Sequence, residues 1–280
     1  MTAIQQLRRN AWFGCGMTAI DFTGFFERLA RDSGDVILPF FRSHLGVEDK
    51  SAPGAPRGFD PVTEADRAAE TVLRRLIGAT FPDHGIIGEE FGTINPEAEY
   101  VWVLDPIDGT RSFISGVPMW GTLIGLMHRG IPAYGVMNQP YTRERFRGDG
   151  HSASLTHADS PARPLHTRRC ASLAEATLLT TSPYLFGEAE RPRYQALEAE
   201  ARLVRYGCDC YAYCMLASGH VDLVIESGLQ PYDIVALIPI VEGAGGKVTN
   251  WQGGSAARGG NIVASGDASL HQQVLERLNR

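Results

Sequence analysis

The sequence predicts an α/β chain of the mixed, α+β kind, and three features carry that expectation. From Asp21, apolar residues recur at Phe22, Phe26, Leu29, Val36, Ile37 and Phe40, the three-to-four spacing of an amphipathic helix. A run of short apolar segments separated by tight turns then reads as a meander, the habit of a mixed or antiparallel sheet rather than a doubly wound parallel one. The second half alternates strand-like and helix-like segments, which implies helices layered on a sheet.

Taken in order, the first helix is expected to kink near Pro39. Lys50 opens a segment with Pro53, Gly54, Pro56 and Gly58, a mobile loop by composition. Thr63 is placed to cap a second helix, with Asp66 three residues on and Val72, Leu73, Leu76 and Ile77 as the apolar face. Val101 to Leu104 is a buried strand ending in Asp105. Strands are expected at Thr122 to Met127, Ala133 to Asn138 and Glu144 to Phe146, with a turn at Arg129 and Gly130. His151 to Thr167 is polar and proline-punctuated, a surface connection. Beyond it come strands at Leu178 to Thr181 and Leu203 to Tyr206, a helix at Cys210 to Ala217, a strand at Val221 to Ile225 and a helix at Ile234 to Glu242. Val248 and Thr249, Ile262 to Ala264 and a helix from Leu270 to Leu278 close the chain.

This ordering divides the chain into an N-terminal extension at 1–20, which need not be ordered, an α+β half at 21–150 and an α/β half at 151–280. MTAI at Met1 recurs at Met17, which suggests Met17 as the natural start; the patch Ala11 to Phe13 is too short for a signal peptide. A net charge of -6 gives no basic footprint, so nucleic acid is not expected as a partner. No apolar run reaches membrane-spanning length. Five cysteines, an odd number, do not suggest a disulfide framework, and a reducing cytoplasm is the expected home. Glycines 243 to 260 lack the spacing of a nucleotide loop, and Cys208, Cys210 and Cys214 lack the second ligand cluster of a structural zinc site.

The chemistry concentrates at Tyr100 to Gly121. Asp105 and Asp108 leave a strand end together, Pro106 stiffens the segment and Gly109 permits a turn. Asp, Pro and Gly are also common turn residues. Two further acidic points change the balance: Glu89 and Glu90 after the apolar Ile86 and Ile87, and Asp233 before another apolar stretch. Oxygen ligands of this kind suit Mg²⁺, which takes one or two carboxylates and leaves its other positions to water and substrate phosphate.

The strings WVLDPIDGTRSF, GEE before it, and PYDIVAL and EGAGG after it resemble the inositol monophosphatase family of magnesium-dependent phosphatases, over nearly the whole chain from Phe22. The resemblance implies a five-layer α-β-α-β-α sandwich of the inositol monophosphatase and fructose-1,6-bisphosphatase type, two or three Mg²⁺ ions, and a homodimer. It implies metal ligands at Glu89, Asp105, Asp108, Asp233 and the backbone carbonyl of Ile107. VTEAD resembles the segment whose Asp lies in the catalytic centre; Asp66 is then expected to pair with Thr110 to orient and deprotonate the attacking water, with Glu89 also counted as catalytic. Gly109 and Thr110 are expected to offer backbone N–H groups to phosphate. Lys50, on the loop expected to close over the site, is a candidate for phosphate, and otherwise a solvated surface charge.

The leaving-group pocket is expected from the second half, where Asp209, Tyr211, Tyr213, Glu226 and Tyr232 cluster in sequence. Buried carboxylates beside aromatic rings suit a cationic, ring-bearing alcohol better than a neutral polyol. GCDCYAYCMLASGHVDLVIESGLQPYDIVAL, with Arg111 and Ser112 after DPIDGT, resembles the histidinol-phosphate phosphatase branch of the family, in which the acids at Asp209 and Glu226 contact the histidinol moiety. Arg111 is expected either to touch substrate or to balance the acids. The expected activity is Mg²⁺-dependent hydrolysis of L-histidinol phosphate to L-histidinol and phosphate in histidine biosynthesis. The alternatives are an inositol-phosphate or other sugar-phosphate phosphatase and a non-enzymatic metal- or phosphate-binding regulator.

Overall fold

A computed structural model describes residues 22–43, 47–49 and 61–280. The extension at 1–20, the Met17 start and Lys50 with most of its loop lie outside the described residues. Helix α1 (Phe22–Ile37) passes into a 3-10 turn at Leu38–Phe40, so Pro39 ends the α-helical ladder where a kink was expected. A short antiparallel pair, β1 (Val47–Asp49) and β2 (Pro61–Thr63), leads into α2 (Glu64–Thr80). Then follow β3 (Gly85–Gly88), β4 (Gly92–Ile94), β5 (Tyr100–Asp108), the short α3 (Thr110–Ile114), β6 (Gly121–His128), β7 (Ile131–Gln139), β8 (Glu144–Gly148), β9 (Ala153–His157) and β10 (Arg163–Pro164). The second half contains β11 (Thr177–Thr180), α4 (Arg191–Glu200), β12 (Leu203–Tyr206), α5 (Asp209–Ala217), β13 (Leu223–Leu229), α6 (Pro231–Ile234), α7 (Leu237–Gly243), β14 (Lys247–Asn250), β15 (Gly260–Ser265) and α8 (Ala268–Leu278).

Two large sheets result. The first has eight strands in the order β10-β9-β8-β7-β6-β5-β3-β4, antiparallel except where β3 runs parallel to β5. The second has five strands in the order β12-β11-β13-β15-β14 and is mixed. Residues 153–164, expected to be a surface connection, form β9 and β10, so the first sheet continues past residue 150 and the expected division there falls between its strands. Helix α4 is absent from the sequence reading because its exposed Arg, Pro and Glu residues leave only Tyr194 and Leu197 to mark a buried face.

Strand alternation sorts the side chains into layers. Trp102 and Leu104 of β5, Ile124 and Leu126 of β6, and Val136 of β7 pack under Phe26, Leu29, Leu73 and Ile77 of α1 and α2. On the opposite face, Leu123, Met137 and Phe146 meet Ala212, Leu216, Leu237 and Ile240 of α5 and α7, which also cover Val224 and Ile262 of the second sheet. The far face of that sheet, with Leu178, Leu223, Ile225 and Val263, is closed by Tyr194, Leu197, Leu270, Val274 and Leu278 of α4 and α8. The order is therefore helices, sheet, helices, sheet, helices: the expected five layers. No described helix is long and apolar enough to cross a membrane, and the four cysteines among the described residues carry free thiols.

A row of glycines sets how closely the middle layer approaches the first sheet. Gly125, Gly135 and Gly148 are cross-strand neighbours on β6, β7 and β8. A Cβ at Gly135 would lie 1.8 Å from the Ala236 carbonyl oxygen, and one at Gly148 would lie 2.3 Å from that of Pro239. The backbone after α6 thus rests directly on the sheet backbone, a fit that only hydrogen in place of a side chain permits.

Gly135→Ala is expected to lose about 1–3 kcal/mol in chemical denaturation through overpacking. Gly78→Ala, on an exposed helical position with nothing within 4 Å of a new Cβ, is expected to be neutral or to gain roughly 0.5–1 kcal/mol. A second expectation concerns His271, which is 1% exposed and held between Ser265 Oγ and Thr249 Oγ1, both 2.9 Å from its ring nitrogens. Burial, aided by the charge of Lys247, pushes its pKa from 6.5 down to about 4. The unfolded chain then binds a proton that the folded chain refuses, so this contribution is intact above pH 6.5 and is lost as pH falls toward 4. Stability should drop by roughly 3 kcal/mol across that window, and His271→Asn should flatten the slope measured by urea titration at successive pH values.

Candidate active site

Strand β5 does not stop at Asp105 as the sequence suggested; it runs on to Asp108, and its register against β6 shifts between these two residues. Side chains three apart on a regular strand face opposite ways, and the irregularity lets both carboxylates reach one place. Asp233 arrives from α6, where it caps its own helix by accepting the Gln230 N–H at 2.6 Å. One carboxylate oxygen from each of Asp105, Asp108 and Asp233 lies within 4.8 Å of the others. The glycine row positions this third acid, since the backbone seated on it begins at Ala236, three residues after Asp233.

Each acid has separate support. Asp108 accepts the Cys210 backbone N–H at 2.6 Å, which ties it to the start of α5. Asp105 is 2% exposed, and its Oδ1 has no hydrogen-bond partner among the described residues. Burial first, and then neighbouring acids, push both carboxyls well above the usual range; Glu89, Asp108 and Asp233 act on Asp105, and Asp209 and Asp233 on Asp108. Such a cluster repels itself unless protons or a cation intervene. An orphaned buried carboxylate oxygen among acidic neighbours is the chemistry of a hard-cation site, and the residues fit a magnesium ion.

Glu89 stands beside this cluster. Its backbone N–H donates to Leu104 O at 3.2 Å, and its carboxyl meets that of Asp105. The turn that carries it is held by Glu70, a residue the sequence reading passed over. Fully buried Glu70 accepts the N–H groups of Glu90 at 2.8 Å and Phe91 at 3.1 Å, and Arg74 at 2.7 Å. The signal was present: Asp66, Glu70, Leu73 and Ile77 share one helical face, and two acids there are out of place on a side that faces the core.

Asp66 is 1% exposed and reaches back across the first turn of α2, its Oδ2 accepting the Thr63 N–H at 2.8 Å and hydroxyl at 2.6 Å. Burial lifts its pKa to about 7 against these two bonds, with Glu90 and Glu89 adding smaller upward pushes. The Thr110 hydroxyl donates to the Ile107 carbonyl at 3.0 Å, so its proton is directed there and not to Asp66 as expected. Ala65, which precedes Asp66, and Ile107, which Thr110 bonds, nevertheless belong to one apolar cluster. Gly109 adopts φ 85°, and a Cβ there would meet Met119 O at 2.8 Å and Asp209 Cβ at 3.3 Å. This is where the first half touches the second.

Asp209 takes φ 43°, uncommon for a residue with a side chain, and accepts the Ser112 hydroxyl at 3.2 Å. Burial raises its pKa to about 6 against the Ser112 and Thr181 hydrogen bonds and the Arg111 charge. Arg111 therefore acts at least on the acids. Glu226 is 2% exposed at the end of β13 and accepts the Thr181 N–H at 2.6 Å and hydroxyl at 3.0 Å, and the Thr180 hydroxyl at 3.2 Å. Burial lifts it to about 8, with Asp209 adding to the rise. Tyr211, expected near these acids, donates instead to Glu144 on β8, while Tyr232 packs beside Val101 and Val103.

Two sheets with helices between and outside them, and an acidic cluster where they meet, define a metal-dependent phosphatase. The chain matches the inositol monophosphatase family over residues 21–280 and belongs to it. It is 45% identical over 269 residues to the bifunctional phosphatase IMPL2, chloroplastic, of Arabidopsis thaliana, spanning 92% of this chain and 75% of that one. It is 39% identical over 225 residues to the histidinol-phosphatase of Mycobacterium tuberculosis, spanning 78% and 85%. A solved inositol monophosphatase from Zymomonas mobilis superposes with a TM-score of 0.81 at 38% identity, covering 94% of this chain and 100% of that one.

Asp105→Asn should leave the thermal midpoint of the metal-free protein unchanged or higher, because it removes a charge from a crowded site. It should also abolish the stabilisation on adding Mg²⁺, about 2.7 kcal/mol for an intact site at a hundredfold excess over Kd. An unchanged Mg²⁺ response in differential scanning fluorimetry would contradict the assignment.

Proposed function

We propose that the chain hydrolyses L-histidinol phosphate to L-histidinol and phosphate. The observation that carries this reading is the pair Asp209 and Glu226, two largely buried carboxylates set beside the acidic cluster and supported by hydroxyl and N–H donors. A neutral polyol would bring no charge to buried Glu226, whereas an amine or imidazolium would pair with it. Relatives named histidinol-phosphatase support the same substrate.

In this reading Glu89, Asp105, Asp108 and Asp233, with the carbonyl of Ile107, hold two or three Mg²⁺ ions. Bound there, the cations supply Lewis-acid polarisation of the phosphoryl group and a lowered pKa for water. The backbone around Gly109 and Thr110 orients the phosphate, Asp66 steers the proton of the attacking water, and Arg111 balances the charge of Asp209. Asp209 and Glu226 hold the cationic alcohol, fixing the ester for in-line attack. A homodimer in a reducing cytoplasm is proposed on the resemblance and the cysteine usage alone.

Phosphate release is to be measured from L-histidinol phosphate and inositol 1-phosphate side by side, with Mg²⁺ and with chelator. The expected outcome is a preference for histidinol phosphate of about 10²-fold or more in kcat/KM, lost on chelation. Asp209→Asn, whose amide tolerates the left-handed backbone, should raise KM for that ester while sparing inositol 1-phosphate. Equal rates would sink the substrate assignment, and no turnover of any phosphomonoester would sink the enzymatic one.

A further inference from the structure

The turn between β3 and β4 hangs on one buried side chain. Glu70, on the second turn of α2 and fully buried, accepts the Glu90 N–H on Oε2 at 2.8 Å and the Phe91 N–H on Oε1 at 3.1 Å. Arg74, one turn further along the helix, donates Nε to the same Oε1 at 2.7 Å and its other arm to the Gly92 carbonyl. Three consecutive residues of the turn are thus tied to α2. Gly88 makes room for this: a Cβ there would lie 2.6 Å from the Glu70 carboxyl carbon and closer still to Oε1. The segment so held carries Glu89, and both peptide groups that flank the Glu89 Cα are hydrogen-bonded. The one before it donates to Leu104 O at 3.2 Å, on the residue preceding Asp105, and the one after it donates to Glu70. Asp66 lies one turn before Glu70 on the same helical face. The direction in which Glu89 leaves the backbone is therefore set by the strand of Asp105 and the helix of Asp66 together.

We propose that Glu70 is a positioning residue that sets the affinity of the site for Mg²⁺ by holding Glu89 in place. The inference rests on the reading of this site as a metal-dependent phosphatase in which Glu89 is a ligand, and adds to it a residue that touches neither metal nor substrate. Ordering the turn on folding removes that cost from metal binding, so the tie to Glu70 acts on affinity. The carboxylate is specific to the task. Both of its oxygens accept and all three partners donate, whereas an amide of the same shape accepts at one end and donates at the other. In Glu70→Gln the orientation that keeps the Phe91 and Arg74 bonds turns the amide nitrogen toward the Glu90 N–H. The bond lost is the one beside Glu89.

The test titrates metal-free wild type, Glu70→Gln and Val274→Ala with Mg²⁺ at constant ionic strength, reading the thermal midpoint. Phosphate release is followed at each Mg²⁺ concentration on whichever of histidinol phosphate and inositol 1-phosphate the wild type turns over faster. Val274 is buried in the outer cluster under α4 and α8, so Val274→Ala controls for lost stability alone. For Glu70→Gln, the Mg²⁺ concentration that raises the midpoint by a given amount should increase about tenfold or more. Half-maximal activity should move by the same factor, with kcat at saturating Mg²⁺ within about threefold of wild type. Val274→Ala should lower the metal-free midpoint and leave the Mg²⁺ dependence unchanged. The same behaviour in Glu70→Gln would make Glu70 a packing residue of the turn and overturn the proposal. Arg74→Lys keeps the charge but gives up the fork to Oε1 and Gly92 O; should Glu70→Gln not fold, this variant decides, with a shift of about threefold expected and none overturning the proposal. A wild type whose midpoint ignores Mg²⁺ would sink the metal assignment and this proposal with it, an outcome visible before any variant is made.

Discussion

Mutual repulsion among Asp105, Asp108 and Asp233 is the constraint on which the rest of this structure depends. Three carboxylates with oxygens within 4.8 Å of one another do not gather unless rigid elements force them together, and two elements do so here. An irregular strand delivers the first two, and a short helix pressed onto the sheet delivers the third. The supports are backbone groups and apolar packing, both of which hold whether or not a cation is bound. The fold thus retains a site that stabilises little by itself and gains its favourable energy from what binds there.

The glycine row is the packing side of the same constraint. Because Gly125, Gly135 and Gly148 lie in register, the chain comes to backbone contact at Ala236, Pro239 and Ile240, and α6 is drawn with it toward the end of β5. The middle helical layer is therefore shared: α5 and α7 cover a face of each sheet, and the residues that begin α5 and α6 emerge where the sheets meet. Cys210 donating to Asp108, and Asp209 against Gly109, link the second half to the acids of the first. The acidic cluster and Asp209 belong to one packed junction, and neither half holds these residues alone.

Glu70 and Tyr213 are buried polar groups of opposite standing near this junction. Glu70 is fully satisfied and fixes the turn that carries Glu89. The Tyr213 hydroxyl makes no hydrogen bond among the described residues. The first kind rigidifies, and the second costs stability.

Much of this was legible in the chain. Period and turn chemistry marked α1, α2, the β6-β7 meander and the alternating second half, because those segments each bury one face and the repeat of polar and apolar residues records it. Strand ends marked Asp105, Asp108, Glu89 and Asp233 as candidates. Helix α4 and strands β9 and β10 were not legible, since their sequences are polar and the neighbours that make them regular lie far along the chain. The identity and order of the acids were written in the sequence, which local propensity reads well. Their convergence was decided only in three dimensions. A register shift, a row of glycines paired across strands and the direction of a Thr110 hydroxyl are relations between distant backbones, and no local pattern encodes them.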